Sequence, residues 1–247
     1  MTDSVDELWL WADWPAPKHI RAGTSIRKGG TSKSPYNELN LATHVGDITA
    51  DVIRNRNNLS KHLELATEPS WLEQTHSSKI ISLDCHQKNN VADGSYTSKK
   101  KNICAILTAD CVPILFCNSE GTKIAAIHAG WKGICAGIIE NALKEFAKPS
   151  STLVWIGPCI DRQYYQVGRD VYERCLDHST SIKSAFKQIN NEHWYCDLRN
   201  IVKIILRNSE VGLIYECGLC TYKRADLFYS YRRENNTGRT ASMIWME

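Results

Sequence analysis

Three residues with metal-binding or nucleophilic side chains adjoin short apolar runs. Cys111 precedes the run 112–116, and His128 directly follows the run 124–127. His76 lies upstream in the segment LEQTHSSKI. A thiolate and imidazoles are ligands for Zn²⁺, and a catalytic zinc keeps one position open beside three protein ligands. A thiol beside an imidazole also makes a nucleophile with its general base. The residue types therefore allow a His₂Cys metal centre or a Cys–His nucleophilic site.

Buried strands must position these side chains. The β-branched runs 106–108, 112–116 and 124–127 are bounded by turn residues, which is typical of buried strands. A turn at 118–121 separates the second run from the third. We expect the three residues at the ends of such strands to meet. On composition alone the alternative is two loop histidines and a buried hydrophobic cysteine.

The remaining pattern predicts one mixed α/β domain (α+β class) spanning residues 1–247, without repeats or linkers. Residues 85–101 are polar and are predicted to be exposed, with a turn at Asp93-Gly94. The helix at 133–146 has a glycine-rich start that offers amides to an anion, and Asp197 precedes another helix as its cap. The predicted helices are 51–63, 133–146, 167–176 and 198–208. The predicted strands outside the central stretch are 19–24, 69–74, 79–83, 153–156, 214–217 and 241–245.

Composition narrows the class of protein. Hydrophobic residues make up 43% and charged residues 23% of the 247 residues, as in ordinary globular proteins. A net charge of +3 is too small to indicate nucleic-acid binding, and the run 99–101 of three lysines fits a solvated loop. No signal peptide and no apolar run approaching ~18 residues is evident. Ten irregularly spaced cysteines then favour free thiols in the cytoplasm. We expect no nucleic-acid, membrane or obligate protein partner.

A series of motifs covers nearly the whole chain. In order they are GTSIRKGGTS, YNELNL, HVGD, QTHSS, TADCVPI, IHAGWKG, GPCI, YQVG, CDL and FYSYRR. Together they resemble the bacterial polyphenol oxidase or multicopper laccase-domain proteins, members of which are described as purine nucleoside phosphorylases with adenosine deaminase activity. The resemblance implies a fold with β-sheets packed between helices. That fold is distantly similar to the catalytic domain of cytotoxic necrotizing factor toxins.

The resemblance also implies a metal site and a reaction. The family's ligands fall on His76, Cys111 and His128, and zinc is the expected metal. The implied reaction is phosphorolysis of adenosine, inosine, guanosine or methylthioadenosine to the base and ribose 1-phosphate, with adenosine deamination besides. Zinc lowers the pKa of bound water from about 15.7 towards ~7, which suits deamination. Asp110 is the candidate proton carrier, and the alternative is that it orients a ligand or caps the strand end.

Phosphate and ribose need cations and hydrogen-bonding groups. The candidates are Arg27 in the glycine-rich loop, Arg232 and Arg239 for phosphate, and Asn40 for ribose or base. For each of them a structural role is the alternative.

Two other activities remain open at this point. The toxin likeness implies a Cys–His amidase in which Cys111 is the nucleophile and His128 the base. Family members are also linked to removing wrongly built cell-wall precursor peptides. Copper polyphenol oxidation fits poorly, because the chain has eight histidines and no His-x-His pair. A blue-copper site normally adds an axial methionine, and none of the three methionines is near the motifs. Copper therefore stays as an alternative or adventitious metal.

Overall fold

The computed structural model describes residues 6–85 and 89–247, and β-sheets form its framework. The strands are β1 (Trp9–Trp11), β2 (Ile20–Ser25), β3 (Ile80–Ser82), β4 (Gly94–Thr97), β5 (Cys104–Thr108), β6 (Val112–Asn118), β7 (Ile124–Ala129), β8 (Thr152–Ile156), β9 (Gln166–Gly168), β10 (Phe186–Gln188), β11 (His193–Cys196), β12 (Leu213–Glu216) and β13 (Thr240–Met246). They pair into a six-stranded sheet (β12-β8-β6-β7-β4-β3), a four-stranded sheet (β1-β2-β13-β5) and a three-stranded sheet (β10-β11-β9).

Helices cover the two large sheets. The α-helices are α1 (Thr49–His62), α2 (Trp131–Cys135), α3 (Ile138–Leu143), α4 (Arg169–His178), α5 (Leu198–Asn208) and α6 (Tyr231–Glu234). Single 3₁₀ segments lie at Pro149–Ser151, Arg162–Tyr164 and Thr180–Ala185. Within the described ranges, no helix combines the length and the apolar character that crossing a bilayer requires.

The two large sheets pack face to face between helices. Successive side chains of a strand point to opposite faces. From β6, Ile114 and Phe116 pack with helices α2 to α5, while Leu115 and Cys117 face the four-stranded sheet. The far side of the four-stranded sheet packs against α1, through residues such as Leu59. The layers are therefore helix, sheet, sheet, helix. The predicted mixed α/β class, with β-sheets packed between helices, is confirmed.

The predicted helix at 133–146 is wrong in its boundaries. The segment forms two short helices, α2 and α3, that are separated at Gly137. Gly137 has φ +84°, a left-handed conformation that interrupts a right-handed helix. The helix predicted at 167–176 begins only at Arg169, because the preceding residues form β9. The helix predicted at 198–208 is confirmed, and the Asp197 side chain accepts a 2.9 Å hydrogen bond from the Asn200 amide.

Two further predictions from the sequence are also wrong. Residues 69–74 do not form a strand and contribute only isolated bridges at Ser70 and Glu73. Residues 85–101 are not wholly exposed, because the buried strand β4 lies inside this range. Gly94 begins β4 instead of completing a turn, and its hydrogens face side chains of Ile80 and Ile127. Residues 86–88 of the range lie outside the described residues.

Candidate metal centre

Antiparallel pairing brings Cys111 to His128. In the register of β6 with β7, Val112 lies opposite Ala129 and Pro113 opposite His128. Cys111 therefore immediately precedes the position facing the end of β7. The linker from β5 to β6 is only residues 109–111, and it carries the chain from the four-stranded to the six-stranded sheet.

The neighbouring strands add the third donor. Strand β4 pairs antiparallel with β7, so that the residue before Gly94 faces His128. Strand β3 pairs parallel with β4, with Ile80 opposite Gly94. The chain that leads into β3, which carries His76, therefore lies beside Asp93 at the same edge of the sheet.

The three predicted residues meet. The ligand atoms of His76, Cys111 and His128 all lie within 4.8 Å of one another. His128 is buried, with 4% exposure, while Cys111 is partly exposed and His76 is exposed. The group is therefore anchored in the sheet and reaches solvent on the His76 side. Among residues 6–85 and 89–247 it is the one set of three or more His, Cys, Asp or Glu side chains arranged to hold a metal ion.

Gly130 forms one wall of this group. A Cβ at this position would lie 3.0 Å from Cys111 Sγ, 3.1 Å from His76 Cδ2 and 3.7 Å from His128 Nε2. A side chain here would enter the space between the donors. Three soft or borderline donors around a gap that only glycine leaves clear fit a His₂Cys zinc site.

Asp93 organises the group and was missed by the sequence analysis. Its buried carboxylate lies 2.8 Å from His128 Nδ1 and accepts the amide hydrogens of Thr75, His76 and Ser77 at 3.2, 3.0 and 2.6 Å. The Ser77 hydroxyl adds a hydrogen bond of 2.7 Å. A carboxylate only accepts, so Nδ1 of His128 carries the hydrogen and Nε2 is left for the centre.

The same contacts shape the loop that carries His76. Three successive amides converge on one carboxylate, which forms an anion-binding nest. His76 itself has φ +60°, a left-handed conformation that a non-glycine residue adopts only when its surroundings hold it there. The sequence signal for this role is the position of Asp93 directly before strand β4. The polar residues around β4 hide that strand in the sequence pattern.

Without a metal ion, Cys111, His128 and Asp93 shift the pKa values of one another. Burial opposes ionisation of Cys111, but the charge and hydrogen bond of His128, with those of His76, lower the pKa of Cys111 to about 6. Burial opposes a charge on His128, but Cys111 and Asp93 raise the pKa of His128 to about 9. Burial would raise the pKa of Asp93, whereas hydrogen bonds from His128 and Ser77 lower it to about 2. Cys111 is thus held as a thiolate, the form that binds metals and attacks carbon.

Comparison with known proteins identifies the family. A family model described as multi-copper polyphenol oxidoreductase laccase matches residues 21–247. The chain belongs to this family. The resemblance carried by the TADC and HAGWKG motifs is confirmed, and we refer to the group as the laccase-domain family.

Several known proteins are similar over nearly their full length. Purine nucleoside phosphorylase YfiH of Shigella flexneri is 40% identical over 235 residues, covering 94% of this chain and 96% of the relative. A purine nucleoside phosphorylase of Haemophilus influenzae is 40% identical over 238 residues, covering 95% and 98%. The crystal structure of Neisseria meningitidis protein NMB0706 superposes with a TM-score of 0.91 at 36% identity, covering 97% of this chain and 99% of that one.

Asp110 lies next to Cys111 but turns its carboxylate towards other loops. It has φ +91° and is buried. One oxygen accepts a 2.6 Å hydrogen bond from Thr221, and the other accepts the Ser230 hydroxyl at 3.0 Å and the Arg232 amide at 2.7 Å. These contacts favour a structural role for Asp110, in which it ties its own turn to Thr221, Ser230 and Arg232, over proton transfer.

Two of the predicted substrate arginines, Arg232 and Arg239, lie near the turn that carries Asp110 and Cys111. The Arg232 guanidinium lies over the Tyr165 ring at 5.0 Å and donates to the Gln166 carbonyl at 3.0 Å. Arg239 donates to the carbonyls of Thr237 and Gly238. Burial lowers the pKa of Arg239, and the negative charges of Cys111 and Asp110 act against that change.

The other two predicted contacts are engaged within the protein. Arg27 forms an ion pair with Glu234 at 3.2 Å, and its guanidinium also donates to the carbonyls of Asn37 and Ala225. Asn40 is fully buried, and its amide group bonds to Ala42, Asp47 and the Arg239 amide. These bonds indicate that Arg27 and Asn40 hold the loops around Arg239 in place.

Proposed function

We propose that this protein is a zinc-dependent purine nucleoside phosphorylase, with adenosine deamination as a second activity. One observation carries the proposal. The His76–Cys111–His128 group is complete and oriented by Asp93, in a chain 40% identical across nearly its whole length to proteins named purine nucleoside phosphorylase. The proposed substrates are adenosine, inosine, guanosine and methylthioadenosine, with phosphate as the second substrate.

In the proposed phosphorolysis, the metal donors, their supporting residues and two arginines have separate roles. When bound, zinc would supply Lewis acidity. His76, Cys111 and His128 would hold the metal, Asp93 fixes the His128 ring, and Gly130 leaves room beside the donors. A phosphate oxygen attacks C1′ of the ribose, the bond from C1′ to the base nitrogen breaks, and the base takes up the proton that the hydrogen phosphate gives up. Arg232 and Arg239 supply positive charge for the phosphate dianion.

Zinc is favoured over copper by the donor set. A multicopper oxidase needs several clustered histidines, whereas the described residues provide a single three-donor group. A blue-copper site typically adds an axial methionine, and the described residues include Met243 and Met246. Both are buried in β13 within apolar clusters that contain none of the three donors. Copper polyphenol oxidation stays an alternative, and a measurement of which metal the purified protein contains would test it. None of the ten cysteines forms a disulfide, which supports our proposal of a cytoplasmic location.

The test is formation of ribose 1-phosphate from adenosine and inosine, with and without phosphate. We expect phosphate-dependent product from the metal-replete wild type, loss of product after chelation, and restoration by zinc. Ammonia release from adenosine without phosphate reports deamination separately. Product formation that survives Cys111→Ala would show that the assigned site is wrong.

A second candidate is a Cys–His amidase acting on cell-wall precursor peptides. The observation favouring it is the lowered pKa of Cys111 beside His128, because a thiolate paired with an imidazolium is a ready nucleophile. It requires no metal. Peptide hydrolysis that persists with chelator and stops on thiol alkylation would support the amidase, and zinc-dependent nucleoside turnover would exclude it as the main activity.

A further inference from the structure

A second pair of reactive side chains lies away from the metal centre. Cys135 is the last residue of α2, and Cys175 lies in the second turn of α4. Their sulfurs are 2.9 Å apart although 40 positions separate them in sequence. A disulfide has its sulfurs about 2.05 Å apart, so an approach of about 0.9 Å would close a bond.

The helices that carry this pair are held in place by other contacts. Cys175 and Ile134, the neighbour of Cys135, both belong to the apolar cluster beneath the helices. His178, at the end of α4, lies 2.9 Å from the carboxylate of Glu140 on α3. The sulfurs therefore face each other because of the packing of three helices, and a bond between them needs only a small local adjustment.

The two thiols differ in access and in acidity. Cys135 is partly exposed, whereas Cys175 is fully buried. The hydrogen bond with Cys175, together with the charge of Arg174, lowers the pKa of Cys135. The same hydrogen bond and burial raise the pKa of Cys175. An accessible, more acidic thiol beside a buried partner is the arrangement that favours attack on an external disulfide followed by internal closure.

Three cysteines elsewhere in the fold differ from this pair in their acidity or their surroundings. Burial raises the pKa of Cys104 and of Cys117 to about 12, so both are inert thiols in β-strands. Cys111 is acidic, but its sulfur faces His76 and His128 at the metal centre. The α2–α4 pair therefore differs from these three cysteines and lies apart from the proposed active site.

We propose that Cys135 and Cys175 form a redox modification site that closes reversibly to a disulfide, with a low-molecular-weight disulfide as the oxidant. The Cys135 thiolate attacks one sulfur of that disulfide and releases one small thiolate, which leaves a mixed disulfide on Cys135. Cys175 gives up its proton and attacks the Cys135 sulfur, which expels the second small thiol. Two protein thiols are oxidised and one small disulfide is reduced to two thiols.

The bond would link α2 covalently to α4. Helix α2 begins directly after Gly130, which borders the metal donors. A disulfide that closes a loop of this length restricts the unfolded chain and stabilises the native state. We therefore expect the oxidised protein to unfold at a higher temperature than the reduced protein.

The experiment treats the native full-length protein with glutathione disulfide and maps its thiols under denaturing conditions. We expect a peptide linking Cys135 to Cys175, a mass loss of two hydrogens for that link, and reversal by dithiothreitol. Cys175→Ser should instead accumulate a glutathione adduct on Cys135. Cys85→Ser, which removes an exposed cysteine far along the chain from the pair, is the matched control and should keep the link.

Three results would overturn the proposal. One is a wild type in which both thiols stay reduced under conditions that glutathionylate Cys85. Another is a persistent glutathione adduct on Cys135 with Cys175 still free. The third is an equal rise in the unfolding temperature for wild type and Cys135→Ser. The replacement Cys135→Ser is at a partly exposed position, so a folded variant is expected, and the wild-type mapping decides the question by itself.

Discussion

Asp93 Oδ1 lies 2.8 Å from Nδ1 of His128, and the Asp93 backbone carbonyl accepts the His128 amide at 2.7 Å. This double link joins the first residue before β4 to the last part of β7. The same carboxylate holds the loop that carries His76. The two histidines of the proposed centre are thus positioned by one buried acid, and the centre depends on a residue that is not itself a donor.

Metal content is the most direct test of the centre. Protein purified without added metal should carry about one zinc per chain, as a single three-ligand site requires. Cys111→Ala should lose this zinc, because the Cys111 thiolate is the negatively charged donor among the three. Mass spectrometry of wild type and variant measures both. Stoichiometric copper with a blue colour would support the oxidase alternative, and a well-folded protein without stoichiometric metal would favour the Cys–His amidase.

Asp93→Asn should weaken zinc binding without removing a ligand. An asparagine cannot accept from His128 Nδ1 and three amides together, so we expect affinity to fall by roughly 10- to 100-fold. Competition with a chromophoric chelator measures it. Asp84→Asn is the matched control, because Asp84 also accepts several hydrogen bonds, among them those from Ser98 and Asn102, beyond the opposite end of β4. Equal zinc affinity in Asp93→Asn and Asp84→Asn would contradict the orienting role.

Gly130→Ala should reduce metal binding by steric exclusion. The added methyl group would lie 3.0 Å from Cys111 Sγ and 3.1 Å from His76 Cδ2, closer than ordinary side-chain contacts. Zinc titration followed by calorimetry checks the loss. Gly168→Ala serves as the control, since its methyl group would meet only the Asp170 side chain within 3.4 Å. If Gly130→Ala bound zinc like wild type, the gap beside the donors would have no role.

Arg232→Ala should raise the KM for phosphate by about tenfold, since a charge-assisted hydrogen bond contributes about 1.5 kcal/mol or more. Zinc content should not change, because the guanidinium contacts Tyr165 and Gln166, not the donors. Steady-state kinetics at varied phosphate measures the effect, with the exposed Arg162→Ala as control. An unchanged KM for phosphate would remove Arg232 from the substrate site.

Asp197→Ala should destabilise the fold without affecting the centre. It removes the side-chain cap of α5, which costs about 1 kcal/mol. For a chain of this size the unfolding midpoint should fall by roughly 2–4 °C. Thermal unfolding by circular dichroism measures it, with Asp170→Ala, in the uncapped first turn of α4, for comparison. A fall in the zinc content of Asp197→Ala would contradict the expectation that the cap of α5 does not affect the metal centre.

Much of the fold follows from local patterns in the sequence. The apolar runs around Cys111 and His128 are strands because β-branched residues between turn signals favour extended buried structure. Helix α5 follows from its apolar periodicity and its Asp197 cap. The helix at 133–146 was predicted as continuous because apolar periodicity persists through Gly137, and only the backbone conformation there shows the break.

The sequence by itself determined the donor types, the places of Cys111 and His128 at strand ends and the family to which the chain belongs. Only the tertiary structure decided that Asp93 is the residue that holds the two histidines and that Cys135 faces Cys175. Both depend on contacts between segments distant in sequence, namely the register of β4 with β7 and the packing of α2 on α4. Local sequence patterns predict neither contact, because each contact joins segments that are far apart in the chain. The buried charge of Asp93 is stable only where such segments supply its hydrogen bonds.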